Sequence, residues 1–166
     1  MKTKRLAELS LLTAAALIIF IVELNLPDLS AIPGVKLGLA NIITVYSVYR
    51  FRGREVLLMV LTRVLLGAFF SSNFSAIMYS LAGAMLCLGG MLIMRRVIPE
   101  NYLWLCSIIG AILHNTGQMA VAVMVTRTVA VAANYPFLII SGCIAGTFTG
   151  LCAQYVLKRL IPVQKD

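Results

Sequence analysis

Acidic residues are scarce in this chain, and aspartate is almost missing. Only six of the 166 residues are acidic, and the two aspartates are Asp28 and the last residue, Asp166. A Ser-His-Asp triad needs an aspartate that orients its histidine, and this sequence offers none near its single histidine, His114. The sequence also has no Walker A loop, whose backbone would hold the phosphates of a nucleotide. We therefore expect no catalytic residue and no enzymatic activity in this chain.

Charge of either sign is also scarce. Charged residues make up 12% of the chain and hydrophobic residues 61%, and the mean hydropathy is +0.97. A typical soluble domain is about one quarter charged. This composition indicates an all-α polytopic membrane protein in contact with a lipid bilayer, and the length suits one integral membrane domain over residues 1–166.

Potential metal ligands are few. There is one histidine, and no two cysteines form a C-x-x-C pair. The four cysteines lie inside apolar stretches, where a thiol is typical of a small buried residue; they are Cys87, Cys106, Cys143 and Cys152. We therefore expect no metal site and no cofactor.

The 14 basic residues form short runs between apolar segments, not one basic surface, so we expect no nucleic-acid binding. If the N-terminus is inside, 11 of them fall in inner segments and only Lys36 and Arg127 in outer loops, while Arg63 lies within a helix. Basic residues favour the cytoplasmic side of a membrane. The pattern predicts a multi-pass cell-membrane protein with both termini in the cytoplasm.

Long apolar segments predict six transmembrane helices, judged by the roughly 20 residues that a span requires. Their approximate ranges are 7–26, 36–50, 54–71, 74–94, 103–126 and 135–157. The second is short and reaches only about 22 Å as a helix, against a hydrocarbon core of about 30 Å. We expect it to be thinly embedded or shielded by its neighbours.

Polar residues within the predicted helices fall at one depth, at or outside the membrane midplane. Such groups are costly in lipid and usually face a cavity or one another. The seven are Glu23, Lys36, Asn41, Arg63, His114, Asn115 and Gln118. They come from four helices, so we expect them to bind a small-molecule substrate, anionic or heterocyclic, in an outward-facing pocket. A structural alternative stays open, in which Glu23 pairs with Arg63 or Lys36 and a neutral His114 bonds a backbone carbonyl.

Two further segments carry specific expectations. The outer link 27–36 is the longest between helices and leads into Lys36, so we expect it to act as a lid.

Helix 6 has Gly142, Gly146 and Gly150 at a spacing of four residues. Such a stripe lets two helix backbones approach closely, either within this protein or against another subunit.

Several motifs resemble a known family. They are "PGVKLGLAN" (33–41), "YSLAGAM" (79–85) and "GAILHNTGQ" (110–118), together with Glu23 and Arg63. From about residue 10 to 155 the chain resembles the bacterial membrane family labelled heptaprenyl diphosphate synthase component I, also called Gx transporter. That family is similar in architecture to the substrate-binding S-components of energy-coupling factor (ECF) vitamin transporters.

The resemblance implies a six-helix bundle that binds substrate near the outer face and couples to an ECF subunit and its ATPases. S-components commonly carry Ala-x-x-x-Ala on helix 1 for this contact, and the nearest match here is Ser10-x-x-x-Ala14. The synthase label implies a different role. Prenyl synthases hold Mg²⁺-diphosphate through aspartate-rich clusters, and magnesium needs such oxygen ligands, which this sequence lacks.

The sequence therefore suggests two functions. The first is a substrate-binding membrane subunit of an uptake transporter for a small molecule. The alternative is a non-catalytic membrane component associated with synthesis of heptaprenyl diphosphate or another prenyl-quinone precursor.

Overall fold

The computed structural model describes residues 3–24, 38–71 and 74–160, and these residues form a helical bundle. The six α-helices are α1 (Thr3–Leu24), α2 (Asn41–Arg50), α3 (Gly53–Ser71), α4 (Phe74–Met94), α5 (Leu103–Thr126) and α6 (Tyr135–Leu160). Short 3₁₀ turns, Glu100–Tyr102 and Val129–Asn134, precede α5 and α6. The all-α fold expected from the composition is confirmed for the part of the chain that the structure describes.

The prediction of six membrane spans is wrong in number. Four of the described helices are long and apolar enough to cross a bilayer, namely α1, α4, α5 and α6. Helix α2 has 10 residues and is only about 15 Å long. Helix α3 has 19 residues, but Arg54, Glu55 and Arg63 give it more charge than a lipid-exposed span tolerates. The bundle therefore combines four candidate spans with two helices that need protein neighbours.

Helix α2 begins five residues later than predicted. The chain makes a turn at Gly38–Asn41, where the Asn41 N–H donates to the Gly38 carbonyl over 2.9 Å. Gly38 has a φ of +75°, which a residue with a side chain rarely adopts. This turn places the start of α2 beside α1 and α5. The predicted lid at 27–36 and Lys36 lie outside the described residues.

Helices α5 and α6 pack closely along the glycine stripe of α6. A Cβ added at Gly150 would lie 2.6 Å from the Trp104 Cα, and one added at Gly146 would lie 2.8 Å from the Ile108 Cα. Since real Cβ atoms do not approach so closely, only glycine permits this contact. The stripe therefore serves packing within the chain.

A polar network ties the first turns of α1 and α3 together. The Arg5 guanidinium donates to the Glu55 carboxylate over 2.7 Å, and the Arg52 backbone N–H donates to the same oxygen over 2.9 Å. The Arg52 N–H and the Arg5 side chain hold the pKa of Glu55 below its usual value. Arg95 also donates to the Val48 carbonyl at the end of α2 over 2.7 Å. This end of the bundle is thus fixed by short polar contacts.

Apolar side chains form two separate cores in the bundle. The larger includes Val45, Val60, Met91 and Cys106, and the smaller includes Tyr79, Met119 and Leu138. On α5, the polar residues His114 and Gln118 fall between Cys106 of the larger core and Met119 of the smaller one. The polar site therefore occupies the region between the two apolar cores.

Candidate functional site: a buried polar cavity

A small cavity of about 20 Å³ lies where α1, α3, α4, α5 and the turn before α2 meet. This volume holds about one water molecule. Its lining combines charged, polar and aromatic side chains: Phe20, Glu23, Gly38, Ala40, Asn41, Arg63, Val64, Ser80, His114 and Gln118. The described residues thus enclose a nearly filled polar space inside the bundle.

The structure brings together five of the seven predicted site residues. All five line the cavity and are at most 6% exposed; they are Glu23, Asn41, Arg63, His114 and Gln118. Of the other two, Lys36 lies outside the described residues and Asn115 faces another helix. The common location is a finding, whereas binding of a substrate by these residues stays a prediction.

Glu23 binds the backbone at the turn that precedes α2. Its two carboxylate oxygens accept the Gly38 N–H over 2.5 Å and the Leu39 N–H over 3.0 Å. Backbone N–H groups before the first turn of a helix lack helical partners and attract negative charge. The carboxylate therefore fixes the start of α2 against the end of α1.

Arg63 supplies the positive charge of the cavity. It is 5% exposed and lies within electrostatic reach of Glu23. A buried guanidinium stays charged and requires a compensating anion. The Glu23 carboxylate and the Arg63 guanidinium therefore offset each other across the cavity, with Glu23 also held by the backbone.

Gly83 leaves the space that the His114 ring occupies, and Gly38 lies on another side of the same ring. A Cβ added at Gly83 on α4 would lie 2.9 Å from the ring Nδ1 and 2.9 Å from the His114 carbonyl oxygen. A Cβ added at Gly38 would lie 3.5 Å from the ring Cδ2. The ring is thus enclosed between α4 and the turn before α2, which sets its orientation.

One buried polar atom of the cavity, the Oε1 of Gln118, has no hydrogen-bond partner among the described residues, and its side chain is 1% exposed. The Nδ1 of His114, on the same helix face, lies against the Gly83 backbone of α4. Because a buried unpartnered polar atom is costly, the Gln118 oxygen marks the place where a bound molecule or water would be stabilised.

Asn115 has a structural contact instead. Its Nδ2 donates to the Leu138 carbonyl of α6 over 2.7 Å, and Gly142 leaves room for it, since a Cβ there would lie 2.8 Å from the same atom. The side chain is 4% exposed. Asn115 therefore joins α5 to α6 on the face of α5 turned away from the cavity.

Sequence reasoning missed several cavity residues. Ser80 lies within the "YSLAGAM" motif and Gly38 within "PGVKLGLAN", so the signal for these two residues was the family motif that contains each of them. Phe20 gave no signal, because an aromatic residue in an apolar helix is common. It reaches the cavity because Gly67 of α3 has no side chain, and a Cβ there would lie 2.5 Å from the Phe20 ring.

A second, larger depression lies between α1 and α3. This α1–α3 groove has a volume of about 430 Å³. Its walls are mostly apolar, with small residues from α1: Leu6, Leu9, Ser10, Thr13, Ala14, Leu17, Glu55, Leu58, Met59, Thr62 and Leu66. Ser10 and Ala14, which the sequence suggested for partner contact, therefore border an open surface and not a packed core.

Over the same described ranges, no group of three or more His, Cys, Asp or Glu side chains is placed to hold a metal ion. Cys87 and Cys106 are buried as free thiols, and Cys143 and Cys152 are partly buried. The charged and polar side chains that line the cavity offer hydrogen bonding and charge compensation.

Comparison with known proteins gives one match. The family model described as heptaprenyl diphosphate synthase component I matches residues 12–156. No curated protein and no solved structure matches the chain significantly. The family match spans nearly the whole bundle, from the middle of α1 to the last turns of α6, and includes every cavity residue. The resemblance seen in the motifs is thus confirmed, and the chain belongs to the heptaprenyl diphosphate synthase component I family.

Proposed function

We propose that this chain is the non-catalytic membrane component of a heptaprenyl diphosphate synthase. The observation that carries the proposal is the family match over residues 12–156. Component I of a synthase implies a partner component. In this proposal the partner carries the catalytic groups and the present chain holds the assembly at the bilayer, where a long prenyl product partitions.

The distribution of acidic residues supports this division of labour. Diphosphate-transferring sites that use magnesium need clustered carboxylates, whereas the acidic residues here are six and scattered. Glu23 is bound to backbone N–H groups, and Glu55 is bound to Arg5 and Arg52. These two carboxylates serve the packing of helices in this bundle.

The α1–α3 groove is the surface that we assign to the partner component. It is open, apolar and bordered by Ser10 and Ala14, and small residues let a second helix approach closely. Glu55 lies at one end of the groove, next to Arg5. A partner segment with an apolar face and a polar end would match this surface.

Co-purification tests the assembly. The chain, tagged and extracted in mild detergent from its native membrane, should retain a polypeptide that elongates prenyl diphosphates. Mass spectrometry identifies the retained protein, and a tagged unrelated membrane protein of similar size is the control. Recovery of two ABC-type ATPases and a coupling protein in its place would contradict the proposal and support an uptake transporter.

A second candidate, solute binding for uptake, is favoured by the cavity itself. A bundle that only anchors an enzyme has no need for a Gln118 carbonyl oxygen that is unpartnered among the described residues at 1% exposure. The two candidates are compatible, because one surface can bind a protein while the interior binds a small molecule. The substrate-capture role with an ECF coupling subunit is the form that the S-component resemblance suggests.

A further inference from the structure

The chemistry of the cavity limits what it can hold. The Oε1 of Gln118 is a carbonyl oxygen and can only accept a hydrogen bond, and it has no partner among the described residues. The Nδ1 of His114 lies against the Gly83 backbone, so the Gln118 oxygen is the acceptor that a guest would satisfy. A molecule that satisfies Gln118 must therefore bring an N–H or O–H group.

The charge of the cavity is already balanced. Both oxygens of Glu23 accept backbone N–H groups, which is the behaviour of an ionised carboxylate. Arg63 is the only cation among the described cavity-lining residues. Among the described lining residues, one negative and one positive charge leave no net charge, so a strongly anionic guest would bring charge that these residues do not compensate into a buried site.

The backbone N–H groups that would usually bind an anion already donate hydrogen bonds to Glu23. The N–H groups of Gly38 and Leu39 precede α2, where a helix attracts negative charge. Both donate to Glu23, so the protein's own carboxylate occupies the place of an external anion. A phosphate or carboxylate from solution would have to displace Glu23 from two hydrogen bonds.

We propose that this cavity binds a small, net-neutral molecule that donates hydrogen bonds, such as an amide or a hydroxyl compound, and that it excludes diphosphates. The proposal rests on the solute-binding candidate above and specifies its ligand class. Glu23 is then an internal counter-ion and not a contact for substrate. The described cavity, of about 20 Å³, holds about one water molecule, so a guest with several heavy atoms, such as acetamide, enters only if the lining side chains move apart.

Acetamide, acetate and inorganic diphosphate are suitable probes, because the first two match in shape and differ in charge and in N–H groups. Their binding to the purified full-length chain is measured by the shift of its thermal unfolding midpoint over a concentration series. Acetamide should bind at least about tenfold more tightly than acetate, since burying an unpaired charge is costly. Diphosphate should give no saturable shift. Tighter binding of acetate or diphosphate, or no binding of acetamide, would overturn the proposal.

Two variants connect the probes to this cavity. Gln118→Leu removes the acceptor and should weaken acetamide binding roughly 5- to 150-fold, the range for one unsatisfied buried hydrogen bond. Glu23→Gln leaves Arg63 without its counter-ion and should raise acetate affinity relative to acetamide. If both variants match the unaltered chain in both affinities, the probes bind elsewhere and the assignment is wrong.

The probe assay and the co-purification assay fail independently. Gln118 is 1% exposed, and the α1–α3 groove is bordered by residues that do not line the cavity. A folded Gln118→Leu variant should therefore retain the partner component. If Gln118→Leu loses acetamide binding and keeps the partner, the ligand class is supported. If the unaltered chain recovers no partner, only the synthase assembly is contradicted.

Discussion

At the scale of single residues, one short segment of α5 combines two different roles. His114 and Gln118 are four positions apart and reach the same cavity, as helical periodicity predicts. Asn115 is turned about 100° from His114 by the same periodicity and bonds the Leu138 carbonyl. The sequence indicated which of these residues share a face. It did not indicate which face meets the cavity and which meets α6, because that depends on helices distant in the sequence.

Asn115 and Gln118 should therefore respond differently to replacement by leucine. Asn115→Leu removes one donor to the Leu138 carbonyl, which also accepts the Ser141 hydroxyl, and should lower the free energy of unfolding by about 0.5–1.5 kcal/mol, the net value of one hydrogen bond. Acetamide affinity should change little in the folded fraction. Gln118→Leu should reverse this pattern, with weakened acetamide binding and a smaller effect on unfolding. Thermal unfolding and probe titration of both variants check the contrast, and identical behaviour of the two would refute it.

Gly83 should be intolerant of even one added carbon. A Cβ at this position would lie 2.9 Å from the His114 ring and from the His114 backbone oxygen, and the backbone cannot move aside cheaply. Gly83→Ala should therefore lower the unfolding midpoint and abolish acetamide binding. Gly89→Ala on the same helix is the matched control, because a Cβ there meets nothing within 4 Å. Its stability should stay equal or rise slightly, since alanine favours a helix. Equal effects of the two variants would contradict the predicted position of the ring.

At the scale of helices, sequence reasoning located most elements and misjudged two. The predicted ranges 54–71, 74–94 and 103–126 agree with α3, α4 and α5 within one residue at each end. Apolar composition decides the existence of such helices, so it can be read directly. The start of α2 depended on the positive φ of Gly38 and on Glu23 bonding that turn, and both are tertiary features. The prediction that α3 spans the membrane was wrong. The helix is long enough, with 19 residues, but it carries too many charged residues to be a candidate span.

The α1–α3 groove gives a test at this scale. Ala14→Trp places a large side chain in the groove and should abolish recovery of the partner component without unfolding the chain, because the groove is open. Leu11→Trp is the control, since Leu11 is on the same helix, is 72% exposed and does not line the groove. Retained partner with Ala14→Trp, or equal loss with both variants, would contradict the groove as the contact surface.

At the scale of the whole molecule, three of the four candidate spans, α1, α4 and α5, line the polar cavity together with α3 and the turn before α2. The sequence predicts that both termini lie on the cytoplasmic side, from the 11-to-2 distribution of basic residues, and this orientation stays a prediction, as does the common membrane depth of the polar residues. The existence of most helices was readable from the sequence. The closed shape of the cavity was not, because it depends on the turn before α2.

The orientation has a direct test. A reporter that is active only in the cytoplasm, fused after Asp166, should be active, because the basic residues Lys158 and Arg159 at the end of α6 favour the inner side. A fusion at Thr128, between α5 and α6, should be inactive. The reverse pattern would overturn the orientation.

The central claim is that this chain is required for heptaprenyl diphosphate synthesis without catalysing it. The most direct measurement is product formation by proteoliposomes that contain the purified chain, the partner component recovered with it, or both. The account predicts that both together form heptaprenyl diphosphate, that this chain alone forms none, and that Ala14→Trp abolishes the gain. Product formed by this chain alone, or an unchanged rate when it is omitted, would contradict the account.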